Sequence, residues 1–444
     1  MVNVLLVGGG ARESALAYKM SQSSYLSTLY LVGCNPTASG YGQVVSWPSV
    51  LDGSGFNTEE KFDGSRQNHL KILAGWCKSH AIDLVVSGPE APICAGLSDI
   101  LAQQDIPCFA PSAHLSQLEG SKTFAKQLMI EAGIPTARFS LAHAFDEARQ
   151  LAVSHFIRRH QGVVIKADGL AGGKGVFVCH TEKDVSEALE RLSQSMAKAC
   201  PVLLCEDLLH GEECSYFAMI SGDTIIPMGF VRDYKRLRDG DLGPNTGGMG
   251  AYTPLPWLEQ NTTNPESMVI SQVIQPLIKT LKQKNLSYTG FLYVGLMWTE
   301  SGPQVLEFNI RLGDPEAQVL ALADQRDWLG CMRDVMSGHG QPSANLRPTV
   351  GVVMTSPHYP WNHEVSTPCL LPQEVWQSDG KTRVFGAAVR ESSDGFYAKE
   401  GRILTIVSQG QTLAESRESC YRRAQFIKSY WPNSHMRTDI AELP

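Results

Sequence analysis

The stretch Leu306-Glu307-Phe308-Asn309-Ile310-Arg311-Leu312-Gly313-Asp314 begins with alternating apolar and polar residues. Because successive side chains of a β-strand point to opposite faces, this alternation predicts a strand. Leu306, Phe308 and Ile310 share one face and are expected to pack into a core. The other face is left to polar side chains.

That polar face carries Glu307, Asn309 and Arg311. Carboxylate and amide oxygens suit Mg²⁺, and a guanidinium suits a phosphate group. Metal ligands followed by a phosphate-binding residue indicate phosphoryl transfer, provided that the rest of the chain supplies a nucleotide pocket. Without that pocket, Glu307 and Asn309 would be ordinary polar residues on an exposed strand face.

The composition of the 444 residues is that of a globular protein with 43% hydrophobic and 19% charged residues. A net charge of −7 argues against a nucleic-acid partner. The eleven cysteines contain no CxxC pair, so we expect reduced thiols and neither a disulfide frame nor a zinc site. No apolar run approaches the ~18 residues of a membrane span, and the N-terminus lacks the charged region of a signal peptide. We therefore expect a cytoplasmic protein with no membrane partner.

The order of apolar runs predicts an α/β protein of several domains. Short strands alternate with helices before a boundary near Asp105–Pro111, as in a doubly wound domain. Further along, a glycine-rich loop is predicted over Asp239–Gly250 and a long helix near Met268–Leu286. The chain after about residue 345 predicts several strands and a closing helix.

A glycine turn, Gly8-Gly9-Gly10-Ala11-Arg12-Glu13, follows the first strand and opens a helix. Glycines let the backbone approach an anion, and a helix N-terminus offers N–H groups to it. The acidic residue expected some twenty residues later in a dinucleotide site is missing from Leu29–Gly33. A plain phosphate therefore fits this turn better than NAD, although such a turn is also common as a purely structural feature.

A second glycine-rich segment joins two strands and carries Lys166 and Lys174 around Gly169, Gly172 and Gly173. A flexible loop of this kind can close over phosphate oxygens and exclude water. It does not match the GxxxxGK[ST] pattern of a P-loop. We interpret it as a phosphate-binding loop rather than a solvated hairpin.

Two charged segments follow. The run after Leu203 holds Glu206, Asp207, Leu208 and Glu213, which could read an adenine edge and ribose hydroxyls, although acidic runs are more often solvated surface. The second is a charged, glycine-dense loop formed by Asp233–Arg236 and Asp239–Gly250. Because such a loop is costly to order, it is predicted to wrap a substrate, offering carboxylates to an ammonium group and N–H groups to a carboxylate, rather than to be a flexible surface loop.

Together these motifs resemble the ATP-grasp enzymes, and specifically the phosphoribosylamine–glycine ligase family, also called glycinamide ribonucleotide synthetases. The resemblance covers essentially the whole chain. The matching segments are Gly88-Pro89-Glu90-Ala91-Pro92, Leu118-Glu119-Gly120-Ser121-Lys122, Ile165–Val176, Gly243–Tyr252, Tyr288–Tyr293 and Glu307–Glu316.

The resemblance implies a three-domain α/β fold. A Rossmann-like, doubly wound preATP-grasp domain is expected at residues 1–104. An ATP-grasp α+β domain is expected at 105–328, with a mobile lid subdomain at about 123–195. A small α+β domain is expected at 329–444.

The resemblance also implies a reaction. ATP, glycine and 5-phosphoribosylamine would give glycinamide ribonucleotide, ADP and phosphate through glycyl phosphate, in purine biosynthesis. The expected cofactor is Mg²⁺ or Mn²⁺, and the chain is expected to be a monomer or homodimer.

Residue roles carry over position by position. The metal would be held by Glu307 and Asn309. ATP would be bound by Lys122, Lys166, Lys174, Glu206, Asp207, Leu208 and Glu213. Phosphoribosylamine and glycine would be bound by Gly8, Gly10, Arg12, Glu13, Glu90, Asn245, Thr246, Gly247 and Gly248. The catalytic residues would be Arg311, Lys174 and Asp314, with Arg311 stabilising the transferring phosphoryl group.

Three single positions depart from the family pattern, and the Ala/Gly-rich turn expected near Val353–Pro360 is altered although Tyr359-Pro360 remains. Ala11 and Ser14 replace Gly and His in the first turn, and Tyr234 replaces a His. They leave open an ATP-grasp ligase with a different amine acceptor. A nucleotide-binding regulator without catalysis is a further alternative, and the retained Glu307, Asn309 and Arg311 argue against it.

Overall fold

The computed structural model describes residues 1–46, 63–159, 162–169, 175–195, 202–361 and 369–443. Lys174, Gly172 and Gly173 of the predicted phosphate-binding loop lie outside these residues. In the described ranges, no helix has both the length and the apolar character needed to cross a membrane.

A parallel five-stranded sheet forms the N-terminal part, in the order β3-β2-β1-β4-β5. Its strands are β1 Val2–Val7, β2 Leu26–Val32, β3 Gln43–Val45, β4 Leu84–Ser87 and β5 Cys108–Phe109. Its helices are α1 Ala11–Ser21, α2 Gln67–Ser79, α3 Glu90–Cys94 and α4 Leu97–Ala102. Alternate residues of β1 pack against α1 on one face and against α2 and α4 on the other, which confirms the doubly wound arrangement.

A separate antiparallel sheet with the order β6-β9-β7-β8 lies in the middle of the chain. Two short helices precede it, α5 Gln117–Gly120 and α6 Lys122–Glu131. Its strands are β6 Phe139–Ala142, β7 Val163–Ala167, β8 Val176–Cys179 and β9 Leu203–Asp207. Helices α7 Phe145–Arg159 and α8 Glu182–Ser195 share one apolar core with this sheet.

An eight-stranded sheet, in the order β16-β15-β10-β11-β14-β17-β22-β19, continues from the middle of the chain into its last third. The middle of the chain contains these strands, of which all but β12 and β13 belong to this sheet: β10 Glu212–Ser221, β11 Thr224–Asp233, β12 Arg236–Arg238, β13 Leu242–Asn245, β14 Gly250–Thr253, β15 Thr289–Thr299 and β16 Gly302–Asn309. The last third contains these strands, of which β17, β19 and β22 belong to this sheet: β17 Thr349–Thr355, β18 Cys369–Leu371, β19 Thr382–Gly386, β20 Val389–Ser392, β21 Gly395–Ala398 and β22 Arg402–Gln409. Strands β12 and β13 form a ribbon, and β18, β21 and β20 form a small sheet.

The remaining helices cover this sheet. They are α9 Pro256–Asn261, α10 Pro265–Val269, α11 Gln275–Gln283, α12 Glu316–Ala323, α13 Trp328–Met336 and α14 Leu413–Tyr430. Short 3₁₀ turns lie at Pro36–Tyr41, Asp239–Asp241 and Gln373–Trp376.

Two predicted elements were wrong in detail. The segment Asp239–Gly250 is not one loop, because Leu242–Asn245 pairs with Arg236–Arg238 as a two-stranded ribbon. The long helix near Met268–Leu286 is interrupted by a π-helical turn at Ile270–Ile274. Neither the ribbon nor the turn carries an apolar pattern of its own that the sequence would display.

The apolar face of β16 differs from the prediction at one residue, Leu306. Gly295 pairs with Glu307 and Leu296 pairs with Val305, so Leu306 is the extra residue of a bulge. Val305, Phe308 and Ile310 enter the core, whereas Leu306 lines the cleft described below. The bulge shifts the alternation by one residue, so the prediction for Leu306 was wrong and those for Phe308 and Ile310 are confirmed.

Candidate active site

A cleft of about 400 Å³ is lined by side chains from the first, middle and last parts of the chain. The predicted site residues that line it are Arg12, Glu90, Lys122, Lys166, Glu206, Thr246, Gly247, Glu307, Asn309, Arg311 and Asp314. The other predicted residues within the described ranges are not among the lining residues: Gly8, Gly10, Glu13, Asp207, Leu208, Glu213, Asn245 and Gly248. Most of the charged groups predicted from separate motifs therefore meet in one place.

The polar face of β16 faces this cleft. Asn309 Nδ2 is 3.5 Å from Glu307 Oε1, and Asn309 Oδ1 is 3.4 Å from a terminal nitrogen of Arg311. The prediction that these three side chains share one face is confirmed. Their oxygens form a donor set suited to a hard cation that keeps water and phosphate as its other ligands.

Arg311 is fixed by two carboxylates. A terminal nitrogen donates to Glu119 Oε1 at 2.8 Å, and Nε lies 3.4 Å from Glu90 Oε2. Glu119 also accepts from the backbone N–H of Ile310 at 3.0 Å, so it holds the end of β16 as well as the guanidinium. These contacts orient Arg311 before any substrate binds.

Lys126 and Lys166 share one buried carboxylate. Glu206 Oε2 lies 3.1 Å from Lys126 Nζ and 2.9 Å from Lys166 Nζ. Burial opposes the charge of Glu206, but the two lysines prevail and lower its pKa. Burial also lowers the pKa of Lys126, to about 8. Glu206 Oε1 has no hydrogen-bond partner among the described residues, so this end of the cleft can still accept a hydrogen bond.

Lys122 begins α6, the helix capped by Ser121. The Ser121 hydroxyl accepts from Phe124 N–H at 3.1 Å, and Lys122 Nζ donates to the Gly169 carbonyl at 2.9 Å. Asp168 accepts from the Ser121 hydroxyl at 3.1 Å, which joins the start of α6 to the residues after β7. Lys122 and Lys126 are four residues apart and so lie on one helix face.

Two further predicted nucleotide residues, Asp207 and Glu213, also have protein partners. Asp207 Oδ1 is 2.6 Å from His155 Nδ1, beneath the four-stranded sheet. Glu213 Oε1 is 2.5 Å from Lys235 Nζ, which also lies 3.1 Å from Asp233 Oδ1. Burial disfavours the charge of Lys235, but Asp233 and Glu213 raise its pKa well above the usual value.

The N-terminal glycine turn surrounds a carboxylate of its own. Glu13 Oε2 accepts from Gly10 N–H at 2.5 Å, and Glu13 Oε1 accepts from Arg12 Nε at 2.6 Å. A Cβ on Gly88 would lie 2.1 Å from Glu13 Oε1, so glycine is required there. Arg12 also donates to the Leu312 carbonyl at 3.1 Å, which brings the first part of the chain to the end of β16.

The predicted substrate-wrapping segment is held by the last part of the chain. One terminal nitrogen of Arg402 donates to the carbonyls of Gly247 and Asp314, both at 2.5 Å, and the other lies 2.9 Å from Asp314 Oδ2. The Tyr359 hydroxyl accepts from Gly247 N–H at 2.9 Å. Burial disfavours the charge of Asp314, but Arg402 and then Arg12 lower its pKa.

The three positions that depart from the family pattern do not line the cleft. Ser14 is buried, donates to the Gly386 carbonyl at 3.1 Å and accepts from Asn35 Nδ2 at 2.7 Å. The Tyr234 hydroxyl accepts from Ala441 N–H at 3.1 Å. Ala11 is packed inside the N-terminal core.

Several lining residues were not predicted to bind anything: Glu119, Lys126, Tyr293, Glu316 and Arg402. The spacing of Lys126 from Lys122 was a usable signal. The sequence around Arg402 carried no such signal, because this residue reaches the cleft through the pairing of β22 with β17.

Three family models match consecutive parts of this chain. They are described as phosphoribosylglycinamide synthetase N domain over residues 2–119, ATP-grasp (A) domain over 120–317 and C domain over 349–443. The boundaries predicted from sequence, at 104 and 328, remain predictions.

Full-length relatives agree with these models. A phosphoribosylamine–glycine ligase of Rhizobium meliloti (strain 1021) is 36% identical, over 99% of this chain and 98% of its own length. One from Streptomyces coelicolor is 36% identical, over 99% of both chains. The crystal structure of the Thermotoga maritima phosphoribosylamine–glycine ligase matches with a TM-score of 0.78 at 27% identity, covering 99% of this chain and 100% of that one.

Proposed function

Because this chain belongs to the phosphoribosylglycinamide synthetase family, we propose that its cleft assembles ATP, a divalent cation, glycine and 5-phosphoribosylamine for two successive transfers. The chain is an ATP-dependent ligase that joins glycine to 5-phosphoribosylamine in purine biosynthesis. The observation that carries the site assignment is the convergence of Glu307, Asn309 and Arg311 with the lysines of α6 and β7 in one cleft.

Glu307 and Asn309 are proposed to hold Mg²⁺ or Mn²⁺. Two protein oxygens suffice for Mg²⁺, which usually keeps several waters and takes other ligands from phosphates. Among the described residues no cluster of three or more His, Cys, Asp or Glu side chains could hold a metal, which agrees with a site completed by the nucleotide. When bound there, the cation would neutralise negative charge on the phosphate groups.

Lys122 and Lys166 are proposed to contact phosphate oxygens, with Lys174 as a third partner. Glu206 is proposed to bind the adenine base. Its Oε1 has no hydrogen-bond partner among the described residues and can accept from the exocyclic amine of the base. Asp207, Leu208 and Glu213 are proposed to complete the nucleoside pocket. The fixed position of Arg311 suits it to stabilise charge on the transferring phosphoryl group.

The proposed chemistry follows from this placement. A glycine carboxylate oxygen attacks the γ-phosphorus, the bond to the β–γ bridging oxygen breaks, and ADP leaves. The amine of phosphoribosylamine then attacks the carbonyl carbon of glycyl phosphate, phosphate leaves with the electron pair of the C–O bond, and the amine loses a proton. Arg12 and Glu90 are proposed to receive phosphoribosylamine beside Arg311, together with Gly8, Gly10 and Glu13.

The test is ADP release measured with glycine and phosphoribosylamine, together and singly, with the amide product identified by mass. Hydroxylamine in place of phosphoribosylamine should trap glycyl phosphate as a hydroxamate. Glycine-dependent ADP release with a different amine, and none with phosphoribosylamine, would contradict the proposed acceptor. No ADP release with any amine would contradict catalysis itself.

A further inference from the structure

Arg437 is a buried arginine outside the cleft, and the roles proposed above leave it unused. It follows α14, and its side chain is only 1% exposed. Its Nε and one terminal nitrogen donate to the two oxygens of Asp439, at 2.7 and 2.6 Å. The other terminal nitrogen donates to Asp241 Oδ1 at 2.6 Å and to the Arg236 carbonyl at 3.2 Å. The guanidinium also lies over the ring of Tyr234, 4.7 Å from its centroid.

These contacts join the segment after α14 to the ribbon of β12 and β13. Tyr234 and Arg236 lie where the chain enters the ribbon, and Asp241 lies in its turn. The residues next to Arg437 bind the same turn. The N–H and the hydroxyl of Thr438 donate to the Asp239 carboxylate at 2.8 and 2.5 Å. Both the base and the turn of the ribbon are therefore held from one side.

Packing does not replace these bonds, because residues 238–243 are all exposed. The turn also contains Gly240, whose N–H donates to Asp439 Oδ2 at 2.8 Å. An exposed turn with glycine has many conformations when it is free, so ordering it is costly. Charge-assisted hydrogen bonds of a planar guanidinium are suited to fix such a turn in one position.

The ribbon in turn determines where two residues of the cleft lie. Lys235 and Thr246 line the cleft directly before β12 and directly after β13. The N–H and the hydroxyl of Thr246 donate to the Lys235 carbonyl at 2.7 and 2.9 Å, and Arg236 pairs with Asn245. A shift of the ribbon would therefore move Lys235 and Thr246 together.

We propose that Arg437 is a positioning residue, which holds the ribbon from outside the cleft so that Lys235 and Thr246 stay in place beside the substrates. The assignment rests on the proposed function, because glycine and phosphoribosylamine are the substrates that the segment after the ribbon is expected to wrap. Binding of ATP should depend less on Arg437, because Lys122 and Lys166 lie on α6 and β7.

Two substitutions test this role. Arg437→Met keeps the apolar part of the side chain and removes every hydrogen bond of the guanidinium. Asp241→Asn removes only a partner of Arg437 in the turn. It should fold, because the Asp241 side chain is 60% exposed and asparagine tolerates the positive φ of 54° at this position.

Arg326→Met is the matched control for loss of a structural arginine. Arg326 donates to the carbonyls of Pro227 and Pro342, both at 2.8 Å, and neither residue belongs to the ribbon. The control should lower the melting temperature and leave every KM within about twofold of the parent value.

The measurements are the KM for glycine with hydroxylamine as acceptor, the KM for phosphoribosylamine in the full reaction, and the KM for ATP. Arg437→Met should raise at least one of the first two by roughly fivefold or more, with the ATP KM within about threefold. Asp241→Asn should raise the same KM by roughly twofold or more. Added to Arg437→Met, Asp241→Asn should change that KM little further, because its partner is already lost.

Smaller rises in both KM values of Arg437→Met, or an equal rise in its ATP KM, would overturn the inference. So would the same pattern of KM changes in Arg326→Met, because loss of stability alone would then explain it. If Arg437→Met does not fold, parent KM values in Asp241→Asn would overturn the inference.

Arg402→Met, which frees Gly247 from a second anchor, separates this failure from that of the proposed function. If Arg402→Met raises the KM for glycine or phosphoribosylamine and Arg437→Met does not, only the role of Arg437 is wrong. If neither variant changes them, the segment after the ribbon does not wrap these substrates. If the parent releases no ADP with glycine and phosphoribosylamine, the proposed function itself fails.

Discussion

The guanidinium of Arg402 lies 2.9 Å from the Asp314 carboxylate and joins the first residue of β22 to the segment after β16. The same guanidinium donates to the carbonyl of Gly247. The last part of the chain thus holds in place both Asp314 and the segment that we propose wraps the substrates.

Arg402→Met should therefore impair the amino-acid and amine half of the cleft. We expect roughly tenfold or larger increases in KM for glycine and phosphoribosylamine, and an ATP KM within about threefold, since the nucleotide residues lie on other elements. Arg402→Lys should restore little, because an ammonium group cannot bridge the same acceptors as a planar fork.

Steady-state kinetics for each substrate make the measurement, with Arg422→Met on the exposed face of α14 as control. An equal rise in all three KM values would speak for general unfolding and against positioning. Full rescue by lysine would show that charge alone matters.

Glu307→Gln should abolish metal-dependent turnover while the fold stays intact. The amide keeps the shape of the side chain but loses the negative oxygen that a hard cation prefers. We expect ADP release to drop at least about a hundredfold and to respond less to added Mg²⁺. ADP release titrated with Mg²⁺, together with a thermal melt, makes the measurement.

Glu300→Gln is the matched control, because Glu300 is exposed in the turn of the same hairpin. Parent-level turnover in Glu307→Gln would remove this residue as a metal ligand.

Local patterns were enough to predict the polar face of β16 and the turn that opens α1. Both depend on residues adjacent in sequence, where the strand period or a run of glycines is visible. The bulge at Leu306 was not predictable, because it depends on how β15 pairs with β16. Because of this one extra residue, Val305 packs in the core and Leu306 lines the cleft.

Contacts between distant parts of the chain could not be predicted from local patterns. Glu13, whose role in binding substrate remains a prediction, accepts from its neighbours Gly10 and Arg12 and also lies against the distant Gly88. Arg402 had no motif to mark it as a lining residue, and Glu316 ended a matching segment without being assigned a role. Such roles arise only when separate parts of the chain pack together.

Ser14→Ala should lower stability without changing the amine acceptor. Its hydroxyl joins α1 to Gly386 of the last part of the chain and accepts from Asn35, so its loss removes buried hydrogen bonds. We expect a loss of about 1 kcal/mol in the free energy of unfolding, and ADP release with phosphoribosylamine within about twofold of the parent.

Chemical denaturation and acceptor-dependent ADP release measure the two effects. A switch of acceptor preference in Ser14→Ala would revive the alternative that departures from the family pattern changed the amine substrate.

Glu316→Gln should make the substrate-free protein more stable at alkaline pH. The pKa of Glu316 is raised from 4.5 to about 7 in the folded chain, so the folded protein binds an extra proton between these values. Its contribution to stability is present in full below pH 4.5 and is lost as the pH rises through about 7. Glutamine has no charge to bury, so the variant escapes this loss. We expect it to be about 1–3 kcal/mol more stable than the parent at pH 8.5, with the gap closing toward pH 5.

Thermal melts across this pH range, without substrates, test the expectation. Glu418→Gln, on the exposed face of α14, is the control for loss of one negative charge and should follow the parent curve throughout. A Glu316→Gln variant that melts at or below the parent temperature at pH 8.5 would mean that the ionised Glu316 is stabilised within the protein.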